Sequence, residues 1–149
     1  MDGNIFYFLD SELNILAAFD TYKSAIFTGR YFSPGDFELY IPATKQALDL
    51  AKASAFVTRA DDTSRCGIVE KIGIQTSMAD GNFLTVSGRD AAALLDRRIV
   101  WRQTTYNGRA ERIIRSLIEN AFISPEIEAR AVEGFELGAE IGLNDSIRV

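Results

Sequence analysis

The chain has 149 residues, 47% apolar and 25% charged, the balance of one globular domain or one domain with a small appendage, and too apolar for wholesale disorder. Sixteen basic against 21 acidic side chains give a net charge of −5, which argues against a general nucleic-acid or anionic-membrane coat. Histidine is absent, which removes imidazole catalysis and His-ligated metals, and the lone Cys66 cannot close an internal disulfide or build a zinc cluster.

The start of the chain lacks the basic segment and small-residue cleavage site of a signal peptide, and no apolar run reaches the roughly 18 residues of a membrane span. The sequence reads as a soluble, unsecreted protein. Short apolar runs at 5–9 and 15–19, separated by Asp10, Ser11 and Glu12, predict a hairpin. A third run covers 25–32, and Pro34-Gly35-Asp36 supplies a turn, since proline fixes φ and glycine accepts positive φ. Phe37, Leu39 and Ile41 then alternate with Glu38 and Tyr40, a half-buried strand that Pro42 ends. Thr44 caps a predicted short helix through about Ala51, with Ala47, Leu48 and Ala51 inward. A meander follows at 55–59, 67–76 and 83–87, its second turn built on Asp80-Gly81.

From Ser87 the pattern turns helical. Ser87 and Asp90 have the spacing of a capping box, and Ala91, Leu94, Leu95 and Ile99 recur at helical intervals, predicting a helix over 88–99. A strand-like passage at 100–106 precedes a longer helix starting near Asn107, with an apolar stripe at Ala110, Ile113, Ile114, Leu117, Ile118 and Ala121 and a favourable Glu111–Arg115 pair. Pro125 stops it. Beyond, Phe135, Leu137, Ala139, Ile141 and Leu143 alternate with glutamate and glycine, which predicts a half-buried strand; three glycines at about 1 kcal/mol each weigh against a helix there. The expected core takes in Phe6, Phe8, Ile15, Phe27, Phe37, Leu39, Ile41, Phe56, Ile68, Ile72, Leu84, Val86, Leu94 and Leu95.

Chemistry has little to work with. Asp61-Asp62, and Asp36 with Glu38, are the acidic pairs a small carboxylate-dependent hydrolase or metal-dependent enzyme would need, although aspartate suits turns and Glu38 falls on a solvent face. Ser64, Thr85 and Ser87 have no imidazole base, no serine has lysine three residues later, and neither phosphate-loop motif occurs. Cys66, next to Arg65, is either an activated thiol or a small packing residue. The strongest anomaly is charge. Residues 89–118 hold seven arginines against three acids, Arg89, Arg97, Arg98, Arg102, Arg109, Arg112 and Arg115, while 119–149 hold two against seven. Three readings stay open: a solvated face pairing with the acidic third stretch, a salt-bridged surface between subunits, and contact with nucleic-acid phosphates. Only Trp101 and Tyr106 interleave with these arginines, so single-strand stacking has little support. Tyr31, Phe32 and Tyr40 are aromatics in excess of the core pattern and are candidate surface for a neighbouring molecule.

Residues 22–42, running Tyr22-Lys-Ser-Ala-Ile-Phe-Thr-Gly-Arg-Tyr-Phe32 and then Gly35-Asp-Phe-Glu-Leu-Tyr-Ile-Pro42, resemble the opening of the ReqiPepy-type siphovirus tail proteins. So do Cys66-Gly-Ile-Val-Glu-Lys-Ile72, Leu84-Thr-Val-Ser-Gly-Arg-Asp90, Leu94-Leu95 and Arg97-Arg98-Ile99, in the same order; the likeness covers about residues 5–122. The resemblance implies a phage or prophage tail-tip component similar to baseplate hubs: an α+β fold, a β-rich, tube-like barrel or sandwich with flanking helices, assembled as a homotrimer around the tail channel. The expected organisation is a hub-like domain over 1–106, including helix 88–99, and a helix plus strand over 107–149 that opens a second small domain. Family members run to several hundred residues, so the chain is expected to be an N-terminal portion or a truncated prophage product. The expected partners are itself and other tail proteins, with nucleic acid only in passing through the channel, no membrane and no cofactor. The expected location is the virion tail, after synthesis in the host cytoplasm, with no catalytic activity.

Overall fold

A computed structural model describes residues 5–63, 65–78, 81–100, 105–142 and 146–148. The chain divides into two compact units, Met1–Leu94 and Leu95–Val149.

The first unit holds two four-stranded antiparallel sheets. Strands β1 (Phe6–Leu9), β2 (Ile15–Phe19), β3 (Ser24–Thr28) and β4 (Asp36–Pro42) lead into helix α1 (Lys45–Ala53). Strands β5 (Phe56–Arg59), β6 (Cys66–Ile68), β7 (Lys71–Ser77) and β8 (Gly81–Arg89) follow. One sheet runs β2-β1-β5-β6 and the other β3-β4-β8-β7, so β2, β6, β3 and β7 are edges. The sheets share one core: Phe6, Phe8 and Val57 from the first, Phe37, Leu39, Ile41, Leu84 and Val86 from the second, with Ala47 and Ala51 of α1 alongside. Among the described residues the two sheets form no closed barrel; the chain has the expected mixed α+β composition.

Local chemistry fixes the turns. The Asp10 carboxylate accepts from the amides of Glu12 and Asn14, both at 2.9 Å, closing the β1–β2 hairpin. Thr44 caps α1, accepting from the Ala47 amide at 3.0 Å. Gly81 at φ +84° turns β7 into β8 as a hairpin needs.

Several expectations are corrected. The predicted strand 25–32 stops at Thr28, leaving Tyr31 and Phe32 in the loop. The single strand predicted at 67–76 is two strands in different sheets. Between them the chain crosses over: the Val69 amide donates to the Ala55 carbonyl at 2.8 Å, and the next amide, Glu70, to Ser87 at 3.1 Å. The predicted helix 88–99 is overturned. Ser87, Gly88 and Arg89 continue β8, pairing with Glu38, Phe37 and Asp36, so Ser87 cannot cap a helix. Asp90 instead accepts from Gly35 at 2.7 Å and from Ala92 at 2.9 Å, and a short 3-10 helix, Ala91–Arg97, follows. Ile15 and Leu95, expected in the core, are 60% and 40% exposed, because β2 is an edge strand and the 3-10 helix has a tighter period than the predicted α-helix.

In the second unit, β9 (Asn107–Arg109) pairs with β10 (Ser146–Arg148). Helix α2 (Ala110–Ile118), starting later than the predicted Asn107, is prolonged by a π-helical turn, Glu119–Ile123, and buries Ile113 and Phe122. Of the strand-like passage 100–106, residues 101–104 lie outside the described residues and the remainder is not strand. The strand predicted over 135–143 does not form, and Leu143 lies outside the described residues. Side chains of α2 take its backbone groups instead: Glu111 accepts from the Ile141 and Gly142 amides, each at 2.7 Å, and Arg115 donates to the Gly138 carbonyl at 2.8 Å. Phe135 stacks on Phe122 with ring centroids 5.0 Å apart. Among the described residues no helix is long and apolar enough to cross a membrane.

Candidate assembly surfaces

The β3–β4 loop carries the most exposed aromatics. Tyr31 and Phe32 are 91% and 95% exposed and meet edge to face at 4.7 Å, held apart from the core because β3 has ended and Pro34-Gly35 turns the chain back. Their base is fixed by Arg30, which pairs with Asp36 at 2.5 Å and donates to the Pro34 carbonyl. Tyr40 lies on the outer face of β4, stacked on Phe83 at 4.6 Å with the Lys23 ammonium above the pair.

The arginines are divided between the two units. Arg89 belongs to the first unit and makes an ion pair with Glu70 at 2.7 Å. In the second unit, Arg97 and Arg112 are exposed, Arg98 donates to the Arg130 carbonyl at 3.1 Å, and Arg109 ends β9. Arg115 sits 4.0 Å from Glu111 and holds Gly138. Arg102 lies outside the described residues. Among the described residues the basic and acidic stretches thus meet where Arg98 reaches Arg130, where Arg115 reaches Gly138 and where Glu111 holds Ile141 and Gly142.

Three of the four acidic candidates, Asp36, Asp61 and Asp62, are ion-paired. Asp61 pairs with Arg59 at 2.5 Å, and Asp62 with Arg65 at 3.8 Å. Hydrogen bonds from Arg59 hold the Asp61 carboxyl below its ordinary range, and Arg30 does the same to Asp36 with help from Thr28. Carboxylates stabilised as anions are poor proton donors, the opposite of what a general acid requires. Burial pushes the Cys66 thiol up, away from the thiolate a nucleophile needs. Among the described residues no three acidic or cysteine side chains gather as a metal site would need. A cleft of about 550 Å³ beside Tyr31 is walled by Arg30, Arg65, Cys66 and Asp90. The second unit has an apolar hollow of about 220 Å³ between Ile99, Val100, Leu117, Ala121 and Ile127.

Sequence reasoning missed the open edge of β7, where Ile74 is 61% exposed. Reading 67–76 as one strand concealed which residues end at an edge.

No curated protein and no solved structure matches the chain. The family model described as Siphovirus ReqiPepy6 Gp37-like protein matches residues 5–146. The chain belongs to that family.

Proposed function

We propose that this member of a siphovirus family is a structural, non-enzymatic component of a phage or prophage tail tip, hub-like, and assembling with itself as a trimer around the tail channel. The family match over nearly the whole chain is the observation that carries the reading. The surface supports it. Among the described residues β2, β3 and β7 are edges without a ladder partner on their outer side, and an unpaired edge is a template for another chain, so a tube is read as built from several copies. Tyr31 and Phe32, almost wholly exposed on a loop that carries the Arg30–Asp36 ion pair, are aromatic side chains of the kind that anchor interfaces. Other tail proteins are its further partners, and it works without a cofactor.

The test is composition of the particle. Mass spectrometry of purified virions or induced prophage particles is expected to find this chain in copies divisible by three. Its absence from particles, or hydrolytic activity lost on changing Asp36, Asp61 or Asp62, overturns the reading.

A further inference from the structure

The segment 135–140 has the period-two pattern of a strand, with Phe135, Leu137 and Ala139 alternating with Glu136, Gly138 and Glu140, yet it lies in no sheet. Among the described residues four strands are edges, one of them, β6, already bridged at Gly67 to Asp90, and the facing residues discriminate among them. On β2 the inward residues are Ala17 and Phe19, so the glutamates would face Leu16 and Ala18, near the like charges of Asp10, Glu12 and Asp20. On β3, matching apolar residues to Ala25 and Phe27 sets a glutamate or glycine against Ile26 and an apolar residue against Lys23. β6 has only three residues before the chain leaves its sheet.

β7 fits. Its core-side residues are Ile72 and Ile74, opposite Val86 and Leu84 in the sheet, and Ile74 is nevertheless 61% exposed. In an antiparallel register with Lys71 opposite Glu140, Ile72 meets Ala139, Gly73 meets Gly138, Ile74 meets Leu137 and Gln75 meets Glu136. The single lysine of the edge meets a glutamate, and the uncovered isoleucine meets a leucine. We infer that residues 136–140 of a second copy of this chain, with the Gly138 carbonyl released from Arg115 and Phe135 left on Phe122, pair with the open edge of β7 in this register, extending its sheet to five strands. The inference rests on the self-assembly reading above and gives it an address. It is also a heterologous contact, head to tail, of the kind that closes into a ring.

The test is disulfide trapping with Cys66→Ser as the background. A Lys71→Cys chain mixed with a Glu140→Cys chain under oxidation is expected to give a covalent heterodimer on a non-reducing gel, and Lys71→Cys mixed with Glu128→Cys is not. Absence of the heterodimer overturns the inference. So does a double variant, Lys71→Cys with Glu140→Cys, that closes only within one chain. Where cysteine variants fold poorly, charge exchange decides. Lys71→Glu or Glu140→Lys alone is expected to weaken association several-fold in light scattering, and the two together to restore it; no restoration overturns the register. A chain present in particles as trimers but not trapped at 71 and 140 leaves the proposed function standing and removes this inference. Trapping by a chain absent from particles does the reverse.

Discussion

A Cβ at Gly88 would stand 1.8 Å from the Ile68 carbonyl oxygen, so β6 and β8 approach as they do only because that residue is glycine. The obstacle is backbone, which cannot swing aside. Gly88→Ala is expected to cost roughly 3 kcal/mol. At Gly67 the obstacle is the Phe37 ring at 2.4 Å, itself held in the core, and Gly67→Ala is expected to cost about 2 kcal/mol. Gly73→Ala, with nothing nearer than 3.9 Å, is expected to change stability by less than about 0.5 kcal/mol. Urea unfolding of the three variants checks the ranking. Titration adds a second residue-scale expectation. Arg30 lowers the Asp36 pKa below its ordinary 3.8 in the folded chain, so the stabilisation is present above 3.8 and is lost as pH falls through the folded value. The stability gap between the natural chain and Asp36→Asn is therefore expected at neutral pH and to shrink below about pH 3.8 in denaturant titrations.

At the scale of elements, α2 acts on its neighbour through two side chains. Glu111 accepts two charge-assisted hydrogen bonds from the amides of Ile141 and Gly142, each of a kind worth about 1.5–3 kcal/mol. Glu111→Ala is expected to raise hydrogen exchange at these two amides well above that of Ile113 and Phe122, which an NMR exchange series reads directly. These bonds also explain where sequence reading stopped short. Alternation in 37–41 and 83–87 was enough to place β4 and the heart of β8, because both strands have one buried face and one open one. The same alternation in 135–143 misled, since period two records only what a strand would bury and cannot reveal that Glu111 and Arg115, more than 20 residues away, take the backbone groups. The capping pattern at Ser87 failed for a similar reason. Ser87 and Asp90 had the spacing, but β4 competed for the same backbone and won through a ladder that no local motif records. Of the candidate surface, the exposure of Tyr31 and Phe32 was legible as aromatics beyond the core pattern; the scattering of the arginines between two units was not, because linear clustering says nothing of which unit each residue joins.

For the whole molecule, the uneven distribution of charge sets an expectation about association. Residues 89–118 carry a net +4 and residues 119–149 a net −5, and among the described residues Arg98, Glu111 and Arg115 each reach a backbone group of the acidic stretch. Association through the remainder is expected to loosen as salt rises past the range where exposed charges are screened, about 0.15 M, and Arg112→Glu is expected to weaken it at low salt. Light scattering across a salt series tests this; association indifferent to salt would place the contact on apolar surface alone. A different consequence belongs to the crossover at Val69 and Glu70, where neighbouring amides are claimed by opposite sheets. Neither sheet can be peeled away without pulling on the same peptide, so the two are mechanically one. Loss of order should therefore be all or none in this unit, with β1 and β4 exchanging hydrogen at a shared rate. Folding should be slow as well, because β1 waits for β5 and β4 for β8, partners about fifty residues apart, and long loops must close before either sheet is rewarded. Until they do, both halves of the crossover are strands without a home.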